Sequence, residues 1–313
     1  MNGDKKLVSI VIPIYNEVSM LDEIYNRITA VFKKLDNYSH EIVFFDDGST
    51  DGTRNALEEL CEKHNEVKCV FYSRNFGYLK NTFYCMQQAK GDCAVIIHAD
   101  LQNPPELIPE FIEKWEKGAQ VVQGVKNQSR ENKFVYFLRT IFYFLMIRFF
   151  AIKMTAHATE FELFDKSFID ILKNIKANNP FLRGIISEYA SKTDYVYYTQ
   201  DARKKGKSKF NINKYYDFAI CGITQFSRVL PRKIIAVCIL GLLATIAEFL
   251  FAFLPQLTTI SVIDIMNSII IRCIFVTLCL FMMLVCIIFE YIITMLDNNI
   301  EKPLIVEEKR INY

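Results

Sequence analysis

No two of the nine cysteines in this chain form a Cys-x-x-Cys pair. They are scattered, and Cys238, Cys273, Cys279 and Cys286 fall inside apolar stretches. That pattern excludes a disulfide framework and a zinc site, and fits a reduced catalytic part facing the cytosol. Charge imbalance is also missing: 37 Lys and Arg against 35 Asp and Glu leave +2, so nothing global attracts nucleic acid. The start, Met1 to Lys6, is polar and runs straight into an apolar strand, the opposite of a signal peptide. Apolar residues make up 51% of the chain and are unevenly placed. Two long apolar runs occupy the last third, and the first two thirds read as a soluble α/β domain. A length of 313 residues allows one or two domains.

The informative stretch is Cys93 to Pro105. A short apolar run there ends in His98-Ala99-Asp100-Leu101-Gln102 and breaks at Pro104-Pro105. Such a run suits a buried strand of a parallel sheet. Ligands of open α/β sheets bind outside the carboxyl ends of the strands. Asp100 and Gln102, two residues apart at that edge, suit a hard divalent cation that also holds a diphosphate. A strand end with two solvated polar residues would look the same.

The preceding chain repeats one unit. Leu7–Pro13 is a strand, residues 18–35 carry apolar positions at helical spacing, and Glu41–Phe45 is a second strand. Asp46-Asp47-Gly48-Ser49-Thr50-Asp51-Gly52-Thr53 follows, with two carboxylates, a Gly turn, and Ser49 or Asp51 as helix cap. Capping does not account for Asp46 at the strand end. A helix to about Lys63, a strand at Val67–Tyr72 and a helix opened by Arg74-Asn75-Phe76-Gly77 complete a doubly wound pattern. Later elements are a helix at Glu106–Trp115, a strand at Ala119–Val125, a helix at Lys166–Ile175 and a strand-like piece at Tyr195–Tyr198.

Residues 134–153 mix aromatics with Arg139, Arg148 and Lys153, too broken to span a bilayer but suited to a helix in its interface, although a core helix would also fit. Arg203 to Lys209 holds five cations in seven residues, with Gly206 and Ser208 among them. A solvated face, a lipid-attracting patch and a phosphate-gripping loop all fit that run. Ile234–Leu254 and Ile269–Leu296 are each long enough to span a membrane. The connector Pro255–Ser268 has no Lys or Arg, while Arg228, Arg232, Lys233, Lys302, Lys309 and Arg310 flank the outer ends. The positive-inside rule then places both ends in the cytoplasm. Glu248, Glu290 and Arg272 lie in the spans, where ionisable groups flag function, an interhelical pair or snorkelling.

Several motifs together resemble glycosyltransferase family 2, and within it the membrane-anchored polyprenyl-phosphate glycosyltransferases. They are Val11–Glu17, Asp46–Thr53, Ser73-Arg74-Asn75-Phe76-Gly77, Ala99–Glu106, Phe181-Leu182-Arg183-Gly184, Arg203 with Gly206–Phe210, and the two apolar runs. The resemblance covers almost the whole chain in order, and the set is specific although single pieces are not. It implies a GT-A type doubly wound mixed sheet followed by juxtamembrane amphipathic helices and two transmembrane helices. The implied layout is a cytosolic catalytic domain over 1–212, a juxtamembrane helix over 213–233, two spans within 234–296 and a cytosolic tail over 297–313. The donor would be a nucleotide-diphosphate sugar, held by Pro13, Tyr15, Glu17, Asp46, Asp47 and Arg74. A divalent cation, Mg²⁺ or Mn²⁺, would be held by Asp100, Gln102 and His98. Arg183, Arg203, Lys207 and Lys209 would face the acceptor phosphate, with Asp100, Glu160 and Arg203 as catalytic residues.

The implied reaction moves a sugar to a polyprenyl phosphate at the cytoplasmic membrane face, with inversion. Spans of this kind can assemble with copies of themselves. Departures from the family pattern are His98 for an Asp, Asn103 for an Asp, and Thr159-Glu160-Phe161-Glu162-Leu163 for a Gly-Asp-Phe-Arg-Leu-like segment. The loss of a carboxylate at His98 favours a softer ion such as Mn²⁺, and Glu162 puts an anion where a cation is expected. A catalytically silent membrane scaffold is therefore the alternative. A processive polysaccharide synthase is a weaker one, since Gln225-Phe226-Ser227-Arg228 is followed by Val229 and not Trp.

Overall fold

The computed structural model describes residues 5–129, 158–200, 262–300 and 302–313 without a break, and short pieces between them. It divides into two compact units. The first comprises residues 1–144, 153–217 and 301–313, and the second comprises 145–152 and 218–300.

The first unit is built on one eight-stranded sheet in the order β7-β5-β6-β4-β1-β2-β3-β8. Its strands are β1 (Lys6–Ile14), β2 (Tyr38–Asp46), β3 (Val67–Tyr72), β4 (Cys93–Ile96), β5 (Val121–Ser129), β6 (Ala158–Asp165), β7 (Thr193–Gln200) and β8 (Glu307–Ile311). Strands β4, β1, β2 and β3 are parallel neighbours. They read as near-continuous Val, Ile and Phe because helices cover both faces. Helix α1 (Leu21–Phe32) buries Leu21, Ile24, Tyr25, Ile28, Val31 and Phe32, the one-face spacing of a helix on a sheet. Helices α2 (Thr53–Lys63), α3 (Tyr78–Gln88), α4 (Ile108–Glu116), α5 (Lys166–Asn174) and α6 (Leu182–Tyr189) complete the layers. The core joins Val8, Ile10 and Ile12 to Ile24, Ile28, Phe111 and Phe161.

Strand direction decides where the active edge lies. Strand β6 runs antiparallel to β4 and β5, β7 runs parallel to β5, and β8 runs antiparallel to β3. Thus β5 and β7 end, and β6 and β8 begin, at the carboxyl edge of the four central strands. The chain leaves that edge after Ser129 and returns to it at Ala158. It leaves again after Gln200 and returns at Glu307.

Two expectations change here. The segment expected to be a tail, 297–313, carries β8, which pairs Cys69 with Ile311 and Tyr72 with Glu307. Its sequence, EEKRI, is too short and too charged to show the strand pattern, and pairing with β3 supplies the order. Ser49 does not cap α2: its hydroxyl accepts from Asn16 N at 2.8 Å, while Asp51 accepts from Thr53 N at 3.1 Å.

In the second unit, helix α7 (Val262–Asn299) contains a 28-residue stretch, Ile270–Asp297, long and apolar enough to cross a membrane. Many of its described apolar side chains are exposed, including Ile271, Phe275, Phe281 and Met295. Of the other apolar run, the described residues between 233 and 247 are helical, and the rest lies outside the described residues. So do most of the 134–153 stretch and nearly all of the 213–233 helix.

Candidate active site

Five chain segments meet at the carboxyl edge: the turn after β1, the Asp-rich turn after β2, the loop after β3, the loop after β4, and the start of β6. Asp46 is the last residue of β2 and is fully buried. Its two carboxylate oxygens accept from Ser49 N at 3.2 and 3.3 Å, and Arg54 Nε stands 3.5 Å away. Burial raises its pKa, and Ser49 and Arg54 oppose that rise. Asp47 accepts from Phe76 N at 2.7 Å and Gly77 N at 3.1 Å, so it ties the β2 turn to the β3 loop. Burial pushes its pKa up to about 6 against those two bonds. Asn16, with φ at 52°, closes the third side. Its N–H donates to Ser49 and its side-chain oxygen accepts from Thr50 N at 2.7 Å.

Glycine is required where the turns meet. Gly48 has φ of 72°, and a Cβ there would stand 2.7 Å from the Arg74 carbonyl carbon. Arg74 itself lies over the Phe76 ring at 4.4 Å.

The loop after β4 carries His98, Asp100, Gln102 and Asn103. Asp100 Oδ1 accepts from Gln102 N at 3.1 Å, and Leu101 between them is buried with φ at 57°. A bulky residue in the left-handed region is strained and marks a loop held for a purpose. His98 Nε2 lies 3.2 Å from the Tyr78 hydroxyl and 4.0 Å from Glu160 Oε2. Burial lowers its pKa, which keeps the imidazole neutral at pH 7. Among the described residues, no three His, Cys, Asp or Glu side chains form a metal-holding group. What this loop supplies is one carboxylate with a neighbouring amide, enough for a cation that draws its remaining ligands from water and a diphosphate.

On β6, Glu160 and Glu162 share one face, and both are buried. Glu160 Oε1 lies 3.8 Å from Arg183 Nε, and burial raises its pKa against that charge. Glu162 accepts from Gln123 Nε2 at 2.6 Å, and burial pushes its pKa up to about 8. The anion expected at Glu162 is therefore corrected to a mostly protonated carboxyl at pH 7, because an unpaired charge at that depth is costly. The change at Asn103 also has a local reason. Asn103 is buried, and its side-chain oxygen stands 2.8 Å from the Tyr198 hydroxyl, which also lies 3.0 Å from Thr159 Oγ1. An amide fills that site without burying a charge.

The fold thus presents a turn with two buried carboxylates, Asp46 and Asp47, beside a second, one-carboxylate loop, at the edge where open α/β sheets bind ligands. A model described as glycosyl transferase family 2 matches residues 9–189, which include all five of these segments. The chain belongs to glycosyltransferase family 2. This glycosyltransferase is 34% identical over 307 residues to the uncharacterized glycosyltransferase YkcC of Bacillus subtilis, covering 96% of its own length and 93% of the relative's. It is 33% identical over 221 residues to the bactoprenol glucosyl transferase of Shigella phage SfV, covering 70% and 72%. The solved mannosyl-3-phosphoglycerate synthase of Rubrobacter xylanophilus shares the fold at a TM-score of 0.51 and 14% identity, over 73% of this chain and 74% of that one. The glycosyltransferase sheet is accordingly of the GT-A kind.

The structure brings Pro13, Tyr15, Glu17, Asp46, Asp47, Arg74, His98, Asp100, Gln102, Glu160 and Arg183 to the elements of one sheet edge. Arg203, Lys207 and Lys209 lie outside the described residues. Sequence reasoning missed Arg54, Tyr78, Gln123 and Tyr198. Arg54 stands two residues past the Asp-rich turn's Gly52, and that nearness was the available signal. The other three reach the site through tertiary pairing that no spacing announces.

Proposed function

We propose that this glycosyltransferase moves a sugar from a nucleotide-diphosphate sugar to a polyprenyl phosphate at the cytoplasmic face of a membrane. The observation that carries the reading is topological. Both excursions, 130–157 and 201–306, leave and rejoin the sheet at the edge that holds Asp46, Asp100 and Glu160. The second contains α7, so the apolar part of the chain is tethered at the reacting edge. The relatives named for bactoprenol support the same acceptor class. Residues 300–306 between α7 and β8 reach about 27 Å when extended. That is short of the ~30 Å hydrocarbon core, so the end of α7 and the sheet belong on one side of the membrane. With the positive-inside pattern, that side is the cytoplasm. A second span at 234–254 completes the proposal.

In this reading, Pro13, Tyr15, Glu17, Asp46, Asp47 and Arg74 hold the nucleotide. Asp100 and Gln102, with His98 beside them, would hold a divalent cation, Mg²⁺ or Mn²⁺, which would supply charge neutralisation for the diphosphate. The acceptor phosphate is mostly dianionic at pH 7 and needs no strong base. One of its oxygens forms a bond to the anomeric carbon, and the bond from that carbon to the donor diphosphate breaks. Nucleoside diphosphate leaves and configuration inverts. The protein's task is to hold two anions together. Arg183, Arg203, Lys207 and Lys209 offset their charge, and Glu160, kept in place by Arg183, orients the acceptor.

The test is release of nucleoside diphosphate from a panel of nucleotide sugars, with and without polyprenyl phosphate, by the full chain in detergent. Lipid-dependent release from one donor is expected, and Asp100→Asn should lower it at least 100-fold. Release that ignores the lipid would reject the acceptor.

A further inference from the structure

The strand β8 follows the membrane-crossing helix in the chain, yet its side chains reach the nucleotide edge. Glu308 Oε2 lies 2.7 Å from Arg54 Nη2. The same nitrogen donates to the Tyr72 carbonyl at 3.4 Å, and the guanidinium lies over the Phe71 ring at 5.2 Å. Its Nε stands 3.5 Å from Asp46 Oδ2. Arg54 is therefore held from three sides, by β8, by the end of β3 and by the ring of Phe71, with its remaining edge turned to a fully buried carboxylate. Strand β8 is well seated. Lys309 pairs with Glu58 at 2.9 Å, Tyr84 donates to Glu307 at 2.7 Å, and Asn312 donates to the carbonyls of Cys61 and Val67 at 2.8 and 3.0 Å.

We propose that Arg54 is a positioning residue for Asp46, and that Glu308 of the post-membrane strand holds Arg54 in place, so that binding of the donor nucleotide depends on β8 being docked. The inference rests on Asp46 contacting the nucleotide, as argued above. Arg54 touches no substrate in this account. It fixes the rotamer of Asp46 and offsets the desolvation that burial imposes on that carboxylate. Two rigid contacts on a planar guanidinium serve this better than one, because the fork is then unable to swing away.

The probes are uridine and guanosine diphosphate with Mn²⁺, titrated by calorimetry into the full chain in detergent. Arg54→Met should weaken the bound nucleotide about tenfold, and Arg54→Lys should restore part of that loss. Glu308→Gln, which removes one exposed ion pair, should weaken it about threefold. The decisive readout is coupling. In an Asp46→Asn background the Arg54→Met loss should vanish, and in an Arg54→Met background the Glu308→Gln loss should vanish. A structural role would give factors that multiply and melting temperatures that fall together. Multiplying factors overturn the positioning role, and an inert Glu308→Gln overturns the part given to β8. If neither nucleotide binds the native chain, or Asp46→Asn binds as well as native, the site reading itself has failed and the inference falls with it.

Discussion

Single residues in this site are chosen as much for what they leave uncharged as for what they charge. Glu162 shows the principle, since burial outweighs both the Gln123 hydrogen bond and the Arg183 charge and keeps the proton on its carboxyl. Its pKa is raised from 4.5 to about 8. Below about 4.5 both the folded and unfolded chains hold this proton. Between 4.5 and 8 only the folded chain does, so the contribution to stability shrinks as pH rises through that window and is gone above about 8. Glu162→Gln removes the titration and keeps a hydrogen-bonding partner for Gln123. It should nearly match the native melting temperature at pH 5 and exceed it by about 10 °C at pH 9. Equal temperatures at both values would reject the protonated assignment. The motifs made Glu160 and Glu162 visible, but not their charge state, because depth below the sheet edge is not written in the spacing of two glutamates.

At the scale of elements, the site is a set of turns held against one another. The Asp-rich turn after β2 closes on the loop after β3 through Asp47, and Gly48 lets the two backbones approach. Gly48→Ala adds a side chain at positive φ and 2.7 Å from a carbonyl carbon, so it should destabilise by about 2–4 kcal/mol and weaken nucleotide binding. Gly52→Ala is the internal comparison. Gly52 has φ of 92° but nothing within 4 Å, so strain alone acts, about 1–2 kcal/mol, and nucleotide binding should be kept. Equal losses in the two variants, followed by thermal unfolding and calorimetry, would show that the close approach to Arg74 is unimportant. The turn was legible in the sequence as carboxylates plus glycine. Its partner loop was not, because Asp47 meets Phe76 and Gly77 across 29 and 30 residues.

At the scale of the chain, every link to the apolar part leaves from the reacting edge. The apolar stretch of α7 predicts how the protein is retained. A helix with 28 apolar-rich residues inserts, whereas a basic patch only adheres. The full chain should stay with liposomes at pH 11 and in 1 M salt, where screening shortens the reach of charge to about 3 Å. Release by salt would show surface attachment in place of a span.

Local chemistry was enough for the alternation of strand and helix, the Asp-rich turn, the Asp100–Gln102 loop and the apolar runs. Each depends on neighbours within a few residues, where periodicity and turn preferences act. The direction of β6, the return of the chain as β8, the neutral state of Glu162 and the line from Glu308 through Arg54 to Asp46 required the folded chain. Arg54 and Glu308 are 254 residues apart, and their meeting depends on strand pairing and burial, which follow from the whole packing of the sheet.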